Sequence, residues 1–161
     1  MKEKKFSTYQ IVFVAVMAAI VCVVTFFRFP FLGSKVHFAN AMCLLSGMLF
    51  GPVLGGLAAG FGSMLYDALF GGYDLINCLI TFVSKFLMAA ICAWIAFGGK
   101  EDGKGKHARL VVGSVIGALS YVALYMLKTY IFQRFVNGYP ADAVFVTMGS
   151  KLPASLINAV F

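Results

Sequence analysis

The sequence predicts an all-α fold: a polytopic membrane domain of six transmembrane helices with a cytoplasmic N-terminus, a single unit over residues 1–161. Three observations predict it. Of 161 residues, 61% are hydrophobic and only 12% charged, against roughly half apolar and a quarter charged in an average soluble domain. The mean hydropathy is +0.92. The apolar residues also fall in runs close to the ~20 residues that cross a bilayer, punctuated by Gly, Pro and charge clusters. This composition excludes a water-soluble globule, a disordered tail and a secreted disulfide scaffold.

The first span, Ser7–Phe27, follows the basic Lys2-Glu3-Lys4-Lys5. Its length and the lack of a small-residue cleavage site mark a retained helix, not a signal peptide. Arg28–Lys35, with Pro30 and Gly33, reads as a loop. Val36–Phe50 forms the second span and stops at Gly51-Pro52, a turn signal. The third span is Pro52–Phe70, closed by Gly71-Gly72, and the fourth is Asp74–Phe97. A polar loop over Gly98–His107 precedes the fifth span, Leu110–Phe132. After a loop over Gln133–Pro140, the sixth span runs Ala141–Phe161. It ends without a basic anchor, so the natural chain is expected to continue.

Charge sets the orientation. With the N-terminus inside, the cytoplasmic segments hold seven basic residues (Lys2, Lys4, Lys5, Lys100, Lys104, Lys106, Arg109) and the outer loops three (Arg28, Lys35, Arg134). That is the bias of the positive-inside rule. The net charge of +7 is therefore read as topology and not as a nucleic-acid footprint. Cys22, Cys43, Cys78 and Cys92 lie in apolar runs with no CxxC spacing and read as packing residues.

An ionisable side chain inside a membrane costs about 2.5–3.5 kcal/mol, so each one is a site hypothesis. His37 and Asn40 begin the second span, and Asp67, beside Tyr66, ends the third. Asn77, Thr81, Ser84 and Lys85 share one face of the fourth. Tyr121, Tyr125 and Lys128 recur at i, i+4, i+7 on the fifth, and Lys151 and Ser155 follow Asp142 and Thr147 on the sixth. These groups fall in the outer half of the bundle or near its midplane, above inner halves that are almost purely apolar. The pattern is a cup open to the outside and sealed below, the form that binds a small ligand through a few polar groups on an apolar wall. Aromatic residues, 16% of the chain, supply stacking surface.

The candidate ligand-binding residues are therefore His37, Asn40, Asp67, Asn77, Thr81, Lys85, Tyr121, Tyr125 and Lys151. Each has a plainer role beside the functional one. Asp67 serves equally as a bundle-stabilising partner of Lys85 or Lys128. Lys128 can snorkel outward, His37 can cap a helix, and Asp74, Arg134 and Asp142 sit near the interface where water solvates them. Lys85, about eleven residues into its span, is too deep to snorkel, and a buried Asn40 amide needs partners.

Gly51, Gly55, Ala59 and Ser63 repeat every four residues, with Gly56 and Gly60 beside them, and Gly113 and Gly117 repeat that spacing in the fifth span. Such stripes let helices approach closely. Ala15, Ala18 and Ala19 form a smooth patch on an otherwise bulky first helix, open to a neighbour in the bundle or to a partner. The glycine-rich stretch 51–60 lacks the GxxxxGK[ST] order and follows no predicted strand, so it is not a nucleotide loop. No HExxH, Ser/His/Asp set or metal-ligand cluster appears in the sequence. The reading is a non-enzyme without cofactor or metal, whose concentrative uptake would need an ion gradient or an energising partner.

In order and spacing, these motifs resemble the substrate-binding S components of energy-coupling-factor (ECF) vitamin transporters, in the riboflavin-transporter-like branch. The likeness is carried by the basic N-terminus leading to Ala15-x-x-x-Ala19, by Val36-His37-Phe38-Ala39-Asn40 and by Phe50-Gly51-Pro52. Gly55-Gly56-Leu57-Ala58-Ala59-Gly60, Tyr66-Asp67 and Ile80-Thr81-Phe82 ahead of Lys85 complete it. The resemblance implies a six-helix, multi-pass subunit of the bacterial cell membrane that binds one vitamin or precursor from outside. It implies docking through Ala15 and Ala19 on a shared transmembrane coupling subunit served by two cytoplasmic ATPases, and toppling to release the ligand inside. It also places the ligand site in the outer loops and outer ends of helices four to six. The chain departs from the pattern at Phe86, where many relatives carry Gly. Two other readings stay open at this level: a stand-alone carrier moving protons through Asp67 and Lys85, and a small membrane enzyme or sensor with an outward pocket.

Overall fold

The computed structural model describes residues 7–31, 34–98 and 106–160; the basic N-terminal cluster, Lys100, Lys104 and Phe161 lie outside them. Five α-helices run in order: α1 (Thr8–Phe26), α2 (Ala39–Tyr66), α3 (Leu75–Phe97), α4 (Lys106–Ile131) and α5 (Ala141–Val160). α2 and α4 each end in a turn of π-helix, Asp67–Gly71 and Phe132–Val136. Among the described residues, α1, α3, and α2 and α4 with their π-turns are long and apolar enough to cross a membrane.

Five helical elements stand where six spans are expected, because spans two and three are the two arms of α2, which Gly51 separates. Expected spans two and three are one element, α2, inside which Gly51 leaves helical backbone at φ 79°, ψ −178°, a region glycine adopts without a Cβ clash. The break folds α2 back on itself. Ser46 Oγ donates to the Gly55 carbonyl at 2.9 Å, and Cys43 Sγ lies 3.8 Å from Ser63 Oγ. In a straight helix, positions twenty apart would be separated by about 30 Å. The arms 39–50 and 52–66 therefore lie side by side as an antiparallel pair.

The expected loop over 28–35 is instead an antiparallel hairpin of β1 (Arg28–Phe31) and β2 (Ser34–His37), with Arg28 opposite His37 and Phe29 opposite Val36. Pro30 is tolerated because each strand of a two-stranded sheet has a free edge. β2 packs on α5 and α1, which moves the start of α2 from the expected Val36 to Ala39. Two short strands inside an apolar run leave too weak a signal to separate from helix by periodicity alone.

Small residues set the spacing of the bundle. A Cβ on Gly47 would stand 2.4 Å from the Ala89 carbonyl oxygen, so α2 and α3 meet backbone to backbone. Gly56 and Gly60 leave room for the Phe86 and Phe82 rings, each 2.8 Å from where a Cβ would be. Phe86, the departure from the family pattern, is thus accommodated by a missing side chain on α2. Gly117 brings α4 against the backbone of Met88, and Gly62 brings α2 against the Ala18 carbonyl of α1. Around these contacts Val21, Cys43, Leu44, Ala59, Met88, Ala89, Cys92 and Ala118 form the core, so Cys43 and Cys92 do pack as small apolar residues. Bulky side chains such as Trp94, Leu75 and Val146 face outward. Small residues inside and large apolar ones outside is the arrangement that lipid as solvent selects.

Gly47→Ala is expected to cost about 1–3 kcal/mol, because its methyl meets a backbone oxygen that cannot rotate away. Gly149→Ala, with nothing within 4 Å, should hold or raise stability by about 0.5–1 kcal/mol. Thermal unfolding in detergent reads both; equal shifts would contradict the close α2–α3 approach.

Candidate functional site

The helices enclose a cavity of about 450 Å³, inside the range of small-molecule sites. α3 contributes Asn77, Thr81, Ser84 and Lys85 to its wall, the face that the i, i+4 spacing predicts. α4 contributes Tyr121 and Tyr125, whose rings stack at 6.3 Å and 24°. From α5 come Lys151 and Ser155. The ends of α2 and α4 add Asp67, one turn past Ser63, and Phe132 and Gln133, one turn past Lys128 and Thr129. At the start of the hairpin Arg28 also lines the cavity, its guanidinium carbon 5.1 Å from the Tyr66 ring centroid.

Lys85 is the centre of the arrangement. It is 2% exposed, yet its ammonium lines the cavity. Nζ donates to Asn40 Oδ1 and sits 3.8 Å from the Tyr121 ring centroid. Asn40, 1% exposed, in turn donates through Nδ2 to the Asn158 carbonyl at 2.8 Å. Both short-range partners of Lys85 are neutral. Asp67 shares the cavity wall with Thr81 and with the cations Lys128, Lys85 and Arg28.

Near the helix ends, Asn77 Nδ2 donates to Asp74 Oδ1, and that bond holds the Asp74 carboxyl below the usual carboxylate range. Burial, reinforced by Asp67, pushes the Tyr73 phenol up, so it keeps its proton at neutral pH. Gln133 Oε1 is buried with no hydrogen-bond partner among the described residues. An acceptor in that state costs about 1–3 kcal/mol unless a donor reaches it. Among the described residues no group of three His, Cys, Asp or Glu side chains could hold a metal ion. A second hollow, bounded by Met42, Leu45, Met48, Val115 and Leu156, is almost wholly apolar and has little with which to orient a ligand.

Seven of the nine candidate residues meet in the cavity wall: Asp67, Asn77, Thr81, Lys85, Tyr121, Tyr125 and Lys151. Asn40 lies behind the wall and acts on it through Lys85. His37 pairs by its backbone with Arg28, and its side chain lies outside the described part of the structure. Residues the sequence reading passed over also join the wall. Arg28, which the sequence reads as an outer-loop charge, is one of them, and Lys128, of the Tyr121, Tyr125, Lys128 series, also faces the cavity with Nζ 6.0 Å from the Phe132 centroid. Ser155 and Asn158 continue the i, i+4, i+7 series from Lys151, so that signal was present in the sequence. Gln133 follows Tyr121, Tyr125 and Thr129 at four-residue steps, so its signal was present as well; for Arg28 no local spacing existed to read.

Residues 5–161 match the family model described as ECF-type riboflavin transporter, S component. The chain is also similar to a solved structure reported as "Structure and mechanism of the S component of a bacterial ECF transporter". That match has a TM-score of 0.61 and 19% identity over 94% of this chain and 89% of the other, a likeness of fold. A protein of Pyrococcus woesei described as "Uncharacterized protein in gap 3'region" is 32% identical over 106 residues, covering 65% of this chain and 66% of the relative. The chain thus matches just under two thirds of that relative's length.

Asn40→Ala strips one partner from the Lys85 ammonium and one from the Asn158 carbonyl. A loss of about 2–4 kcal/mol is expected. Combined with Lys85→Met, the two losses should fall short of their sum by at least about 0.5 kcal/mol, since both variants break one contact. Strict additivity in thermal unfolding would show that the contact carries no energy.

Proposed function

The chain belongs to the ECF-type riboflavin transporter S-component family, and on that premise we propose that it is the membrane-embedded subunit that captures a small vitamin or vitamin precursor for uptake. ECF S components are substrate-binding, non-catalytic transporter subunits, so the chain is not an enzyme. The observation that carries the ligand-binding reading is the cavity. It combines a buried cation, an acceptor without a partner and two stacked phenols in about 450 Å³. These groups have the mix of apolar wall and few polar contacts that orients a small ligand.

In this proposal the chain crosses the membrane six times, the short first arm of α2 doing so together with the hairpin that leads into it, with the N-terminus in the cytoplasm of a bacterial cell and the cavity open to the outside. The ligand contacts are Asp67, Asn77, Thr81, Lys85, Tyr121, Tyr125 and Lys151, with His37 at the rim and Asn40 positioning Lys85. Transport energy comes from a shared transmembrane coupling subunit with two ATPases. Ala15 and Ala19 are the docking residues. Both are exposed on α1 while Ala18, between them in the chain, is buried, so the smooth patch divides between the bundle and the outside.

Purified protein should be stabilised by a compound of the B-vitamin class, by about 2.7 kcal/mol at a hundredfold excess over Kd. Asp67→Ala and Lys85→Ala should each weaken that binding at least tenfold, and unchanged affinity in both would refute the pocket assignment. Ala15→Trp should abolish uptake in cells while leaving binding intact; loss of both would remove the docking role. Uptake by vesicles that contain no ATPase, abolished by an uncoupler, would point to a stand-alone carrier instead.

A further inference from the structure

The charges around the cavity do not balance. Arg28, Lys85, Lys128 and Lys151 line it, and Asp67 is the one carboxylate among its described lining residues, leaving four cations against one anion. Asp74 is exposed and already engaged by Asn77, and Asp142, at the start of α5, is exposed and does not line the cavity. Bulk water would screen such an excess at a surface. Inside a helical bundle it persists, because screening is weak in a low-dielectric interior.

The deepest cation makes the imbalance directional. Asn40 and the Tyr121 ring fix where the Lys85 ammonium points, but being neutral they cancel none of its charge. A charge this buried is expensive without a counter-ion. Asp67 is shared with Lys128 and Arg28, and Lys151 adds its own charge close to Lys128. An anion that enters the cavity would supply the missing negative charge. We propose that the captured molecule is an organic anion whose carboxylate or phosphate seats against Lys85, a proposal that rests on the binding-subunit reading above. Its body lies against the stacked Tyr121 and Tyr125 rings, and an N–H or O–H on it satisfies Gln133 Oε1. Arg28 and Lys128 add to the field that draws the anion in.

The test uses acid and neutral partners of nearly equal shape on the purified full chain in detergent. The pairs are pantothenate with panthenol, biotin with its primary amide, nicotinate with nicotinamide, and riboflavin 5′-phosphate with riboflavin; thiamine serves as a cation. One acid should bind at least tenfold more tightly than its neutral partner, and Lys85→Met should erase that preference. Should Lys85→Met not fold, Lys151→Met is read in its place, with the preference also expected to fall at least threefold between 50 and 500 mM salt. A neutral member binding as tightly as its acid, thiamine binding most tightly, or a preference that survives the substitution overturns the proposal while leaving a binding subunit. Binding of none of the nine compounds overturns the vitamin reading itself and the proposal with it.

Discussion

Much of this structure hangs on one amide. Asn40 stands in the first turn of α2, where it accepts from Lys85 of α3 and donates to the last turn of α5 through the Asn158 carbonyl. The last carbonyls of a helix have no partner within it, and away from water that partner has to come from the protein. Asn40 therefore solves two problems with one side chain. It closes the C-terminal end of α5 onto the bundle and holds a lysine that lipid would otherwise expel. α5 packs mainly on α4 and β2, so this tie is also what connects it to the arm of α2 that starts the cavity floor.

The tie works only because the helices around it stand unusually close. Gly47 and Gly117 press α2 and α4 onto the backbone of α3 from two sides, and α3 carries Lys85. The hinge at Gly51 returns α2 along its own length, so that Ser63 and Asp67 reach the same cavity that Asn40 supports from behind. Backbone proximity replaces side-chain volume as the source of packing, leaving the larger side chains free to face outward or to line the cavity. The C-terminal ends of α2 and α4 complete the wall, where Asp67 stands one turn past Ser63 and Gln133 one turn past Thr129.

Local sequence carried the helices and the faces of the helices, and little of what passes between them. The runs that became α1 and α3 were legible because twenty apolar residues have few other structures open to them in a membrane. The cavity face of α3 was legible because Asn77, Thr81 and Lys85 obey the helical period. Gly51-Pro52 was visible as a break, and the two arms of α2 do part there, but hydropathy cannot say that they lie side by side. The hairpin at 28–37 hid inside apolar residues of no distinctive period. Asn40 was picked out as a buried amide in need of partners, yet those partners lie 45 and 118 positions away, beyond the reach of any spacing rule. Arg28 escaped for the same reason: a charge reveals its depth through its neighbours, and those of Arg28 belong to other elements.

The neutrality of the partners of Lys85 bears on mechanism as well as on stability. Had the chain placed Asp67 in direct contact with Lys85, the pair would have satisfied itself, and a ligand would have had to break it on entering. Such a site is stable and binds poorly. An amide and an aromatic face instead orient the ammonium while leaving its charge unspent, so an incoming group meets a donor already aimed and loses little in ordering it. The structure accepts the cost of an under-compensated cation in the empty state, and Asn40 limits that cost by spreading the strain over three helices. Local destabilisation of this kind is expected where binding has to be tight and the site has to be ready.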